Sequence, residues 1–240
     1  FFSSNSFSLN HIMFNFSKNR LDYNYYIVRL NDEIFDLDKI IRWLYYRALS
    51  IKATDKLSFK FSEAMLSADK NQIIDWYYLT PGALLIGESE NNNNNLDSPN
   101  SFFGFGADYI LNKNYTLKGR LIIDDFQKSN IGRDVYEDVF GFLLGINYKK
   151  ERLSFLIEYQ YASPWLYTNI NPSAHYQHHN KPIGLRYPNA HMLEINFEYE
   201  FSNASITSVL FFGERGEQSI DTQWNSENND IDNFNFIHTL

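Results

Sequence analysis

The chain of 240 residues contains no cysteine. Disulfides and thiolate metal sites are therefore excluded. No run of 18 apolar residues occurs, so no transmembrane helix is encoded. No cluster of Lys and Arg occurs either, and the net charge is -8. A phosphate-binding surface needs a basic patch, so nucleic acid is not the expected partner. The chain opens F-F-S-S-N-S, with no Met, basic segment or apolar segment of a signal peptide. It stops at F-N-F-I-H-T-L, inside a strand-like pattern. A single domain over 1–240, incomplete at both ends, is the expectation.

Aromatic residues, in contrast, are plentiful: 21 Phe and 17 Tyr bring the aromatic share to 18%, while mean hydropathy is only -0.41. A large β surface accommodates such rings. Alternation runs through the whole chain. Tyr115, Leu117, Gly119, Leu121 and Ile123 fall on one face of a strand, with Thr116, Lys118, Arg120, Ile122 and Asp124 on the other. Leu153 to Tyr161 and Leu193 to Phe201 alternate likewise. This is period 2, the signature of a strand with two unlike faces. About eleven strands are predicted, near 10–16, 20–30, 40–52, 56–66, 102–111, 115–124, 139–148, 152–162, 190–201, 204–213 and 234–240.

The connections decide the architecture. S-K-N, A-T-D, N-K-N, K-K-E and S-N-A are short and turn-like. Long connections at 31–39, 67–101, 125–138, 163–189 and 214–233 alternate with them. An up-and-down meander with all short turns at one end and all long loops at the other has this rhythm. That is the layout of an antiparallel transmembrane β-barrel of the outer membrane. Strands of about ten residues are the length a tilted membrane strand requires. Lys56, Lys60, Asp108, Lys118, Arg120, Glu158, Glu194, Glu198 and Glu200 suit a water-filled lumen; Phe103, Phe105, Tyr109, Phe140, Phe142, Leu144 and Tyr148 suit lipid. The opposing reading is a soluble barrel or sandwich with its apolar face inward. An odd strand number again points to a piece of a larger barrel.

Three sets of residues could carry chemistry. Asp124 and Asp125 end the strand G-R-L-I-I-D-D-F-Q. Neighbours on a strand diverge, so they read as a strand terminus that anchors the following loop. A protease-like acid pair with His175, His178 and His179, as in omptin-type barrels, is the alternative; the same histidines could hold a metal. No cofactor and no metal site are expected. Trp76, Tyr77 and Tyr78 in D-W-Y-Y-L-T-P, with Trp165 and Tyr167 in P-W-L-Y-T-N, offer faces for sugar C–H surfaces. Tyr176 and Arg186 of the proline-rich loop 163–189 join them as candidate polysaccharide-binding residues.

The ordered set F-S-E-A-M-L, W-Y-Y-L-T-P-G, G-A-D-Y, L-K-G-R-L-I-I-D-D-F-Q, I-E-Y-Q-Y-A-S-P-W-L-Y-T and K-P-I-G-L-R-Y-P-N resembles the Wzi-type capsule assembly family of outer-membrane proteins. The likeness covers roughly residues 55 to 215. It implies a barrel of about eighteen strands in the outer membrane of a Gram-negative bacterium. It also implies a non-enzymatic, lectin-like role in organising capsular or extracellular polysaccharide. A helical bundle found in that family has no counterpart in this sequence. A porin or substrate-specific channel is the alternative function, and a barrel hydrolase the third.

Overall fold

Hairpin follows hairpin along the chain. The computed structural model describes residues 9–35, 37–70, 74, 77–79, 100–125, 139–169, 172–185, 187–216 and 235–236. The strands are β1 (Asn10–Lys18), β2 (Leu21–Arg29), β3 (Glu33–Phe35), β4 (Asp38–Lys52), β5 (Leu57–Asp69), β6 (Asn100–Ile110), β7 (Tyr115–Asp125), β8 (Val139–Lys150), β9 (Leu153–Ala162), β10 (Gln177–His178), β11 (Lys181–Pro182), β12 (Ala190–Glu200), β13 (Ser205–Arg215) and β14 (Asn235–Phe236). Eleven of them form one antiparallel sheet in the order β1-β2-β4-β5-β6-β7-β8-β9-β12-β13-β14. This is the all-β, up-and-down arrangement that the alternation predicts. β1 and β14 are not paired with each other among the described residues.

Side chains and turns together fix the short connections. Thr54 Oγ1 accepts the amides of Lys56 (3.2 Å) and Leu57 (3.0 Å) in the turn after β4. Asn112 Oδ1 accepts those of Asn114 (2.9 Å) and Tyr115 (3.2 Å) after β6. Such side chains mimic a backbone turn and close the hairpin locally. Asn19 and Glu151 begin the two tightest turns with φ of 55° and 51°. Asn tolerates that left-handed conformation better than Glu does.

Two stretches differ from the sequence expectation, and a third is described only in part. The connection at 31–39 contains β3, which pairs with the start of β4. E-I-F is too short for a period to register. The connection at 163–189 contains the small β10–β11 hairpin and a single 3₁₀ turn at Pro172–Ala174. The last expected strand, 234–240, is described only at Asn235–Phe236, beside Glu214 and Arg215. The expected loops at 67–101, 125–138 and 214–233 lie mostly outside the described residues.

Register assigns every strand residue to one of two faces. One face carries Phe14, Phe59, Phe105, Leu121, Leu144, Phe197 and Phe212, each 38–57% exposed. We call this the outer face. The inner face carries Lys60, Asp108, Lys118, Arg120, Glu158 and Glu194. At the end where the long connections lie, the inner face turns apolar. There Val28, Leu44, Tyr46, Ala64, Leu66, Phe102 and Ile122 are buried against residues of the 163–189 connection.

Candidate functional site: the inward loop and the charged inner wall

The connection after β9 turns back over the sheet. Its first residue stays in the ladder: Ser163 donates its amide to Phe140 O (3.0 Å), and its Oγ accepts the Phe140 amide (3.1 Å). A turn over 164–167 then drops Leu166 onto the wall. Gly141 makes room for it. A Cβ at Gly141 would stand 2.8 Å from both Leu166 Cδ2 and Leu185 Cδ1, closer than carbon atoms pack.

Asp124 takes hold of the loop next. It is buried at the end of β7, and its Oδ2 accepts a very short hydrogen bond from the Tyr167 amide. Tyr167 sits at φ 76°, a conformation that costs a bulky residue about 1–3 kcal/mol and needs support from its surroundings. The carboxylate supplies part of that support. Burial supplies the rest, since Tyr167 is 0% exposed and packs edge-on to Phe102 and Tyr176. Its hydroxyl accepts the Leu185 amide (2.8 Å). Gly184, at φ 147°, lies so close that a Cβ there would overlap the Tyr167 hydroxyl.

Two further side chains spread the anchoring across the wall. Asn100, at the start of β6, donates from Nδ2 to Thr168 O (3.2 Å) and Ala174 O (3.1 Å). Its own carbonyl accepts the Tyr176 hydroxyl at 2.6 Å. Arg42, fully buried on β4, donates to the carbonyls of His175 and Gln177 and to Glu33 Oε1 (2.6 Å). A buried guanidinium requires such a set of acceptors. At the loop tip, the Asn31 amide donates to His178 Nδ1 (3.1 Å) and the His179 amide to Asn31 Oδ1 (2.9 Å). One connection is thus tied to β4, β6, β7 and β8 and to the turn after β2.

The aromatic candidates fall on opposite sides of the sheet. Trp165 (7% exposed), Tyr167 (0%) and Tyr176 (0%) belong to the inward loop. Tyr78 (3%) packs on the outer face with Tyr25, Ile27, Tyr45 and Met65. Its carbonyl accepts both Tyr25 Oη (2.6 Å) and Arg47 Nη2 (2.9 Å). As placed, none of the four presents an open ring face, and the two aromatic segments do not form one surface. Their rings pack the protein's own interior. Burial accordingly raises the phenols of Tyr167 and Tyr176 above the ordinary range. Trp76 and Arg186 lie outside the described residues, as do the side chains of Tyr77 and Asp125. The Asp125 backbone pairs with Val139 after a register shift.

The rings of His178 and His179 lie side by side, 4.2 Å between centroids, but His175 does not join them. His175 Nε2 faces Asn169 O (3.0 Å), whereas His178 turns to Asn31. Among the described residues, no group of three or more His, Asp or Glu could hold a metal ion.

Below the loop, the inner wall is charged. Asp108 sits between Lys60 Nζ (2.8 Å) and Arg120 Nη2 (2.6 Å). The Arg120 chain lies over Gly106, where a Cβ would stand 2.8 Å from Arg120 Cδ. Across the sheet, Glu158 and Glu194 are directly opposite each other on β9 and β12. Glu194 accepts Asn196 Nδ2 (2.7 Å), and Glu198 accepts Ser154 Oγ (3.3 Å). Sequence alternation exposes this wall. It does not expose Arg42, Asn100 or Gly141; the one available signal is an arginine inside the apolar run I-I-R-W-L-Y-Y.

No protein-family model matches the chain. No curated protein matches it either. Among solved structures, a CymD monoaromatic hydrocarbon channel is similar at a TM-score of 0.34 and 13% identity, over 87% of this chain and 78% of that chain.

Asp124→Ala removes the acceptor of a buried amide, which costs about 1–3 kcal/mol. We expect faster proteolysis within 163–189 while the strand signal in circular dichroism is retained. A second expectation concerns acid. Burial, the neighbouring His179 and Arg42 hold the His178 pKa below its ordinary value. The neutral ring is also the form that accepts the Asn31 amide. Its contribution is present above the ordinary histidine pKa and is lost as pH falls through the lowered one. Protection from hydrogen exchange at residues 177–181, taken relative to the intrinsic rate at each pH, should therefore fall from about pH 6.5 toward more acid values, and His178→Gln should flatten that fall.

Proposed function

We propose that the chain builds the wall of an outer-membrane β-barrel of channel type, narrowed by its inward loop and lined by fixed charges. The observation that carries this reading is the contrast between the two faces. Apart from Arg47 and Glu63, which are buried opposite each other on β4 and β5, the outer face is one of exposed Phe, Leu and Tyr, which has no place on a water-soluble sheet. Half-buried Asp108, Lys118, Arg120 and Glu158, with exposed Lys60 beside them, have no place in a dry core, where charge is costly. Exchanging the two solvents removes both difficulties: lipid outside and water inside. Strands of nine to fifteen residues on β1, β2, β4 to β9, β12 and β13 have the length this requires. The role needs no catalytic step. Solutes would meet first the loop and then the charged wall, and size and charge would select among them.

A second reading, the organisation of capsular or extracellular polysaccharide at the cell surface, is favoured by the anchoring of the loop. A connection tied down by Asp124, Asn100 and Arg42 suits a blocked lumen with its ligand bound outside. The ordered motifs that resemble the Wzi-type family support the same reading.

Planar-bilayer recording of the full protein separates the two. The channel reading expects steady single-channel steps that grow when Asp124→Ala frees the loop. A silent bilayer with both proteins would sink it and favour the polysaccharide role. The membrane assignment has its own check. Phe142→Arg on the outer face should cost about 2–4 kcal/mol on folding into lipid vesicles, whereas Phe142→Leu should be tolerated. Equal folding of the two variants would refute a lipid-facing wall.

A further inference from the structure

We propose that the inner wall carries a binding site for small zwitterionic solutes, with Lys118 taking the anionic end and Glu158 with Glu194 taking the cationic end. This rests on the reading of the inner face as a water-filled lumen.

The site is one rung of the sheet. Asp108, Lys118, Gly145, Glu158 and Glu194 stand side by side in register on β6, β7, β8, β9 and β12. Charge separates along that rung. Asp108 is neutralised by Lys60 and Arg120. Lys118 is left as the cation of the rung, with no ion pair among the described residues. On the other side, two carboxylates meet across one strand gap. Glu194 is 8% exposed and its Oε1 is fixed by Asn196, so it is the rigid member. Glu158 accepts no hydrogen bond among the described residues; its charge faces Lys118 and Arg120 on one side and Glu194 on the other, so a zwitterion would insert between Lys118 and the acid pair.

Gly145 makes the gap usable. Neighbouring strands are about 4.8 Å apart, so Lys118 and Glu158 leave the wall about 10 Å apart. Gly145 is all that lies between them in the rung. A Cβ there would stand 3.0 Å from Glu158 Cγ and 3.3 Å from Glu158 Oε1, so the Glu158 chain leans across that position. The floor between the cation and the acid pair is thus the Glu158 chain itself, lying over a glycine and able to swing aside. A simple anion is drawn to one end and repelled by the other, and the same holds for a simple cation. A molecule with an ammonium and a carboxylate a few carbons apart satisfies both ends. A neutral sugar gains nothing from either.

The experiment is calorimetric titration of the full detergent-solubilised protein near neutral pH with 4-aminobutyrate, butyrate and butylammonium. We expect 4-aminobutyrate to bind at least tenfold tighter than either singly charged probe. Lys118→Gln and Glu158→Gln should each abolish that preference, and Lys118→Arg should keep it. Equal binding of the three probes by the native protein would overturn the proposal whether or not any variant folds. So would a preference that survives Lys118→Gln. A preference found alongside a silent bilayer would leave the site standing and remove the channel. Conductance without the preference would do the reverse.

Discussion

Every feature of this protein depends on one constraint, the two-residue period of a paired strand. Pairing fixes register, and register commits each side chain to one face or the other. A slip of one residue between β7 and β8 would carry Lys118 and Arg120 to the side of Leu121 and Phe142. Ten consecutive pairings keep the two sets apart. The sheet therefore separates an apolar set of side chains from a charged one as a matter of backbone geometry, before any loop contributes.

The loop over 163–189 exploits this separation at one end only. Where the inner face is apolar, at Leu44, Ala64, Leu66 and Phe102, the loop finds a surface to cover. Where the inner face is charged, it does not. Covering an apolar patch also means burying backbone amides and carbonyls that need partners. Asp124, Asn100 and Arg42 are those partners, and each reaches main-chain atoms of the loop instead of its side chains. Such anchors hold the path of the loop and leave its sequence freer to vary.

That difference explains what was legible in the sequence. The strands were, because alternation is a property of consecutive residues; the edges of β7, predicted at 115–124, fall within a residue of those found. The charged wall was legible for the same reason. Loop direction was not. P-W-L-Y-T-N and D-W-Y-Y-L-T-P look alike as strings of aromatic residues, yet one lies on the inner face and the other, through Tyr78, on the outer. Nothing local distinguishes them, since the choice is made by residues far away: Gly141 and Asp124 for the first, Arg47 and Tyr25 for the second. Asp124 shows the middle case. Its place at a strand end was readable, but the amide it accepts, 43 positions further on, was not.

The glycines of the inner face have a mechanical side. Gly104 and Gly106 flank β7 on one side, with Gly141 and Gly145 on the other. A wall that bends toward its inner face crowds the side chains on that face, and glycine removes the obstruction. The register shift between Ile123 and Asp125 lies on the strand between these glycines, and bulges of that kind add bend and twist. The inner face along β6 to β8 thus carries glycine at the positions where a bend toward that face would crowd side chains.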